Sequence, residues 1–212
     1  MAKRLFDLFF SSIGLLILSP FFLIFAILIK LESKGPVFYR GIRIGKYGKP
    51  FRIYKLRSMV QNAEKIGANS TSSDDPRLTK TGKFIRKFKL DESSQLINVF
   101  IGDMSFVGPR PEVPKFINKY TEKERKILTL QPGITDWSSI KFHNEPEIIA
   151  SSRIKDADEA YEKLIRPDKI KLQLKYLKEH NMWLDLKIIF STILTLISTR
   201  IGGKPIGVPK DF

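Results

Sequence analysis

The first pattern along the chain is an unbroken apolar run over residues 8–29, LFFSSIGLLILSPFFLIFAILI, with Lys3 and Arg4 before it and Lys30 after it. At 1.5 Å per residue such a run makes a helix about 33 Å long, enough to reach across a bilayer core. Pro20 removes one N–H donor and crowds the carbonyl of Leu16, so the spacing predicts a kink or break at Ser19-Pro20, with the Ser19 hydroxyl free to satisfy that carbonyl. Lys34, Arg40 and Arg43 add cations on the far side, so the positive-inside rule finds little asymmetry to act on. Residues 37–44 and 51–56 are short β-branched and aromatic runs joined by GKYGKP, the pattern of a hairpin.

Helical spacing then dominates. A polar loop is expected over residues 67–76, then a short basic helix over 81–87 with Phe84 and Phe88 on an apolar stripe. Further helices are expected over 112–120 and 122–130, the second opened by a Thr121-x-x-Glu124 capping box. Residues 156–178 form a charged amphipathic pattern that Pro167 divides into two helices. Over 182–201, Asp185, Thr192, Thr195 and Thr199 recur on one face, with Leu184, Ile188, Ile189, Leu194 and Ile197 assigned to the other, giving an interfacial or core helix rather than a span. The Gly/Pro-rich tail 202–212 is expected to be loosely ordered.

The densest chemistry lies in residues 90–111, LDESSQLINVFIGDMSFVGPRP. Asp91 stands where an N-cap belongs, Glu92 falls in the first turn, and Gly102 ends the helix, which predicts two carboxylates at one helix start with Asp91 held ionised. Such a carboxylate can cap the helix, ligate Mg²⁺, or attack phosphorus, and the spacing leaves all three open. Arg110 lies between Pro109 and Pro111, whose fixed φ angles stiffen a guanidinium able to grip phosphate at two points. Upstream, Arg77, Lys80, Lys83, Arg86, Lys87 and Lys89 come with no acid among them, where a solvated face would alternate signs. Cations around a carboxylate pair suit phosphoryl transfer.

Composition adds a constraint without choosing a partner. Lys and Arg number 37 against 22 acids, a formal +15, so the surface attracts anionic lipid, nucleotide or nucleic acid. There is no cysteine, which excludes disulfides, thiolate metal sites and a Cys nucleophile. His143, in a loop, reads as an exposed polar residue more readily than as a general base, and His180 reads as structural.

The block KLDE-x-x-QL-x-NV-x-x-GDMSFVGPRP resembles the signature of bacterial polyprenyl-phosphate phosphoglycosyl transferases, the small monotopic sugar transferases. The resemblance extends over Ser19-Pro20, GPVFYRGIRIGKYGKPFRIYKLRSM at 35–59, DDPRLTKTGKFIRK at 74–87 and QPGITDW at 131–137, covering nearly the whole chain up to Trp137. It implies transfer of a sugar 1-phosphate from a UDP-sugar to polyprenyl (undecaprenyl) phosphate with release of UMP, Mg²⁺ as cofactor, and initiation of a cell-surface glycan. It also implies that Asp91 is the metal-bound nucleophile forming a covalent phosphosugar, with Glu92 as its partner. Lys55, Arg57, Arg86 and Arg110 are then expected on substrate phosphates, and Asp136 and Asp168 near the nucleotide or sugar. Ser19-Pro20 becomes the break of a re-entrant membrane helix. Residues 136–145, DWSSIKFHNE, depart from the Gly-Trp-Ala-Gln type of sequence that many members have there.

The expected fold is α+β and mostly helical: a re-entrant helix-break-helix over 1–30, a catalytic domain over 31–180 with a small β-hairpin, an amphipathic helix over 181–201 and a flexible tail over 202–212. The resemblance places it on the bacterial inner membrane, with the catalytic domain on the cytoplasmic face and inner-membrane lipid as a partner, and leaves room for a homodimer. The rival reading is a non-enzymatic basic membrane protein binding anionic lipid or nucleic acid. It leaves the carboxylates and the Pro-Arg-Pro clamp unexplained, and no nucleic-acid motif is present.

Overall fold

The computed structural model describes residues 1–63, 66 and 70–209. Helix α1 (Ala2–Glu32) is followed by four short strands, β1 (Phe38–Tyr39), β2 (Ile42–Ile44), β3 (Pro50–Arg52) and β4 (Lys55–Leu56). Next come α2 (Lys80–Lys87), a 3₁₀ turn over Leu90–Gln95, α3 (Leu96–Ile101) and β5 (Ser105–Val107). The second half holds α4 (Pro114–Ile117), α5 (Glu122–Arg125), β6 (Gly133–Thr135), α6 (Trp137–Lys141), α7 (Glu145–Ser151), α8 (Ala157–Leu164), α9 (Arg166–Glu179) and α10 (Met182–Arg200). The described chain is thus mostly helical with a few short strands and an apolar helix at its N-terminus.

The expected hairpin forms, split into two antiparallel ladders: β1 pairs β4 with Phe38 opposite Leu56, and β2 pairs β3 with Ile42 opposite Arg52. The capping box at Thr121 and Glu124 is present with both of its bonds. The two helices expected on either side of Pro167 form as α8 and α9, with Pro167 in the first turn of α9. Of the polar loop 67–76, residues 67–69 lie outside the described residues; from Ser70 onward it is tied down by the Ser70 N–H donating to Asp158 (2.7 Å) and by an Asp75–Arg77 pair (2.6 Å).

Helix α1 continues through Pro20, where a kink or a break was expected, so the chain is not broken there. The Ser19 hydroxyl donates to the Leu16 carbonyl at 2.8 Å, the acceptor that Pro20 leaves without its N–H, and this keeps the helix intact. Both ends of α1 are attached to the rest of the fold. Near the start Lys3 pairs with Asp185 and Arg4 donates to the Val99 and Phe100 carbonyls. At the other end Ile29 is buried with Leu56 and Ile85. Leu5, Phe9, Leu16, Phe21, Leu23 and Leu31 remain exposed along it.

Helix α10 is turned with its polar stripe inward. Asp185, Ser191 and Thr195 are buried, while Trp183, Phe190, Ile193 and Ile197 are exposed. Asp185 accepts from Tyr176 Oη at 2.5 Å, and the Thr192 hydroxyl bonds that of Thr135 at 2.8 Å. Ile188, assigned by the sequence to the opposite face, is fully buried on the polar one, because position 188 lies between 185 and 192 in helical spacing. Both α1 and α10 are long and apolar enough to cross a membrane by length and composition alone. The segment expected as a flexible tail is bonded back onto α10, Ile206 N–H donating to Thr195 Oγ1 (2.9 Å) and Ser198 Oγ to the Lys204 carbonyl (3.0 Å). Residues 210–212 lie outside the description.

Candidate active site

Lys55 reaches the site because buried Asn98 stitches the hairpin to α3. Its Oδ1 accepts from Tyr54 N–H (2.8 Å) and its Nδ2 donates to the Arg52 carbonyl (2.9 Å). The next residue's ammonium then meets Glu92 Oε1 at 2.8 Å. An Asn fully buried within the apolar hexamer LINVFI was the available sequence signal for this joint, and the sequence reading passed over it.

Asp91 is not an N-cap. Lys89, in the left-handed region at φ 54°, reverses the chain and starts the 3₁₀ turn two residues earlier, and α3 begins only at Leu96. Both carboxylates lie in the first turn of that 3₁₀ segment, as expected of a helix start, but neither accepts a helix N–H among the described residues, so Asp91 caps nothing. Burial, with the adjacent charge of Glu92, instead raises the Asp91 pKa against the opposing pull of Lys55, Arg86 and Arg110. Its carboxyl has no hydrogen-bond partner among the described residues, although the residue is only 7% exposed. Glu92 is the opposite case: burial works against its charge, but Arg110 and Lys55, both bonded to Oε1, hold it well below the usual carboxylate range. Two neighbouring carboxyls are thereby pushed in opposite directions, a pattern that assigns them different roles.

Arg110 is fixed from behind. The Gly108 N–H donates to the Thr135 carbonyl and the Gly133 N–H to that of Pro109, both at 3.1 Å. An added Cβ on Gly108 would lie 2.2 Å from the Gln131 carbonyl, so this approach of the Pro-Arg-Pro segment to β6 needs glycine. The Arg110 N–H points to Asp136 Oδ2 at 3.3 Å, and its guanidinium pairs with Glu92 and reaches the Ile134 carbonyl at 3.4 Å. Arg86 donates from Nε to Ser58 Oγ at 2.9 Å, and its charge acts on Asp91.

The structure therefore gathers Lys55, Arg86, Asp91, Glu92 and Arg110. Of the other three expected residues, Arg57 and Asp168 are engaged elsewhere and Asp136 meets the site only through the Arg110 backbone. Arg57 is buried and spends its guanidinium on α1, donating to Ser33 O (2.7 Å), Ser33 Oγ (2.8 Å) and Lys34 O (2.8 Å), a cation at a helix C-terminus. Asp136 is 1% exposed and caps α6, accepting from Ser139 N–H (2.7 Å), Ser138 Oγ (2.7 Å) and Gln173 Nε2 (3.1 Å); it supports Arg110 from beneath. Asp168 pairs with Lys141 (2.7 Å) and Lys171 (3.2 Å) and bonds none of the gathered residues. Ser58, which the sequence reading missed, adjoins the site, and so does Lys89 of the basic cluster, whose ammonium donates to the His143 carbonyl and interacts with Glu92 and Arg110. His143 is half-buried rather than exposed, and burial and Lys89 lower its pKa, which keeps the ring neutral at pH 7.

No group of three or more His, Cys, Asp or Glu side chains forms a metal cage among the described residues. The unpartnered Asp91 carboxyl and the adjacent Glu92 Oε2, which accepts no bond, are nevertheless hard oxygen donors. Mg²⁺ characteristically takes one or two carboxylates and completes its shell with water and substrate phosphate, so the donor set fits that ion.

Residues 1–199 match the family model described as bacterial sugar transferase. The chain is 38% identical over 199 residues to the UDP-N-acetylgalactosamine-undecaprenyl-phosphate N-acetylgalactosaminephosphotransferase of Aeromonas hydrophila, covering 92% of this chain and 44% of that protein. It is 52% identical over 118 residues to the putative undecaprenyl-phosphate N-acetylgalactosaminyl 1-phosphate transferase of Bacillus subtilis, covering 56% of this chain and 66% of that protein. It is 32% identical over 212 residues to the exopolysaccharide production protein PSS of Rhizobium leguminosarum, covering 94% and 97%. The chain thus spans less than half of the first of these relatives and nearly all of the last. With a whole-chain family match and relatives of this similarity along most of its length, the chain belongs to the bacterial sugar transferase family.

Proposed function

We propose that this chain transfers a sugar 1-phosphate from a UDP-sugar to polyprenyl phosphate as the first step of a cell-surface glycan, through a phosphosugar bound to Asp91. The observation that carries this reading is the split between the two carboxyls: Glu92 clamped by two cations, and Asp91 buried with no hydrogen-bond partner among the described residues. Undecaprenyl phosphate appears in the names of the Aeromonas and Bacillus relatives. A basic membrane protein acting only by charge would gain nothing from a desolvated carboxylate at its most cationic point.

In the first step an Asp91 carboxylate oxygen bonds to the phosphorus that bears the sugar, while the bond from that phosphorus to the oxygen of UMP breaks and UMP leaves with the electron pair. In the second an oxygen of polyprenyl phosphate attacks the same phosphorus, the acyl phosphate bond breaks, and the Asp91 carboxylate is restored. Arg86 and Arg110 neutralise the phosphate oxygens throughout, and Lys55 and Arg110 keep Glu92 ionised beside them. Mg²⁺, held by Asp91 and Glu92, supplies further neutralisation of phosphate charge when bound.

The pH dependence tests the role of Asp91. The free enzyme must ionise a carboxyl whose pKa is raised by burial and by Glu92, so kcat/KM for the UDP-sugar, followed by UMP release, should fall on the acid side at a pH above the ordinary Asp value of about 3.9. Glu92→Gln removes the like charge and should move that acid limb to lower pH in the residual activity. An acid limb at the ordinary value, or an upward shift in the Gln variant, rejects this assignment.

The same reading places both ends of α1 on the cytoplasmic side. The 31 residues of α1 trace about 46 Å along the helix axis. It is bonded to one body at both ends, through Arg4 to α3 and through Ser33 to Arg57, which favours a re-entrant or interfacial position over a crossing. Outward apolar side chains on α1 and α10 support burial in lipid beside that body. Ala2→Cys, in a chain with no other cysteine, should resist an impermeant reagent added outside intact cells; labelling from outside would mean that α1 spans.

A further inference from the structure

We propose that α1 is more than an anchor and sets the register of the phosphate-binding side chains, with Glu32 the positioning residue for Arg86. The inference rests on the function proposed above. Glu32, the last residue of α1, accepts the first two amides of α2, Lys80 N–H at 2.6 Å and Thr81 N–H at 2.9 Å. The same end of α2 lies on the backbone of Ser58: the Thr79 N–H donates to the Ser58 carbonyl at 3.1 Å, and an added Cβ on Gly82 would be 1.8 Å from that oxygen. One turn further along α2, Arg86 donates to the Ser58 hydroxyl. The residue before Ser58 is Arg57, whose guanidinium returns to Ser33 and Lys34 at the end of α1.

These bonds close a ring from α1 through α2, Ser58 and Arg57 back to α1, and Arg86 is the charge it delivers to the site. The opposite end of α1 does the same for the other half of the site. Asp7, buried, accepts from Ser105 Oγ and Phe106 N–H, both at 3.1 Å, on the strand that leads to Arg110. Arg4 bonds the last carbonyls of α3, the helix that follows the carboxylate turn. A helix whose outer face is apolar is therefore joined by polar bonds to the elements carrying Arg86, Asp91, Glu92 and Arg110.

The test compares detergent-purified Glu32→Ala, Glu32→Gln, Arg86→Met and the Glu32→Ala/Arg86→Met double variant. A misplacement of Arg86 by about 1 Å should lower kcat/KM for the UDP-sugar by 10- to 100-fold in Glu32→Ala. Glu32→Gln, which keeps one acceptor oxygen, should lose less, and the double variant should be no slower than Arg86→Met alone. Partial rescue by Glu32→Gln, with a double variant no slower than Arg86→Met, is a pattern that a mere loss of folded enzyme would not give. Multiplicative losses in the double variant, or a Glu32→Gln variant as slow as Glu32→Ala, overturn the proposal. Hydrogen exchange of the α2 peptide separates this from the parent reading. Faster exchange in Glu32→Ala supports the tie, and unchanged protection overturns it, even if the wild-type chain releases no UMP from any UDP-sugar and the proposed activity is itself rejected.

Discussion

Asp91→Asn should abolish turnover, by more than about 10³-fold, while the protein melts at a higher temperature than the wild type. The kinetic half follows from the proposed chemistry: the amide has nearly the shape of the carboxylate but cannot form and release an acyl phosphate. The stability half follows from linkage. The folded chain holds the Asp91 proton more tightly than the unfolded chain, so the stabilisation this group gives is complete below the unfolded pKa and disappears as pH rises through the folded one. Above its folded pKa the carboxyl is buried as a charge with no hydrogen-bond partner among the described residues, and the neutral amide removes that penalty. Mass spectrometry of wild-type protein quenched with UDP-sugar and no acceptor should find one sugar phosphate on the peptide holding Asp91 and Glu92, absent in the variant. A label on Glu92, or rapid turnover with no label, would show that Asp91 is not the nucleophile, and a lowered melting temperature would show that its carboxylate is bonded in the folded protein.

Arg110→Lys should lower kcat by about 10²-fold although it keeps the charge. The guanidinium pairs with Glu92 while also reaching the Ile134 carbonyl, and Pro109 and Pro111 hold its backbone against β6. A Lys ammonium is a point charge on a flexible stem, so it can keep Glu92 ionised or meet a phosphate oxygen, but does not reproduce a planar two-point grip. Association with sedimented membranes should be unchanged, since the apolar faces of α1 and α10 are untouched. Near-normal turnover in the Lys variant would reduce Arg110 to a counter-ion for Glu92.

Much of this arrangement was legible along the chain because it depends on neighbours in sequence. The hairpin, the α2 helix, the Thr121 capping box and the division at Pro167 all follow from local spacing and backbone chemistry. The clustering of Asp91, Glu92 and Arg110 was visible because the three lie within 20 residues of one another. Ser19 on the Leu16 carbonyl followed from the geometry of a proline in a helix, although the consequence was an intact helix rather than a break.

What the sequence by itself determined, then, was which residue types are concentrated where: cations around two carboxylates, a proline-held arginine, and two apolar helices. Tertiary structure decided which of them meet. Lys55 and Arg57 stand two positions apart and would share one face of a continuing strand, but β4 ends at Leu56, so Lys55 turns to Glu92 and Arg57 to the end of α1. Asp91 lost its place as an N-cap because Lys89 adopts a left-handed conformation and begins the turn earlier. Periodicity showed that α10 has a polar stripe but could not say which way it faces. The stripe turns inward because its partners, Lys3, Thr135 and Tyr176, are brought there from remote parts of the chain, and a buried polar group settles where hydrogen bonds await it.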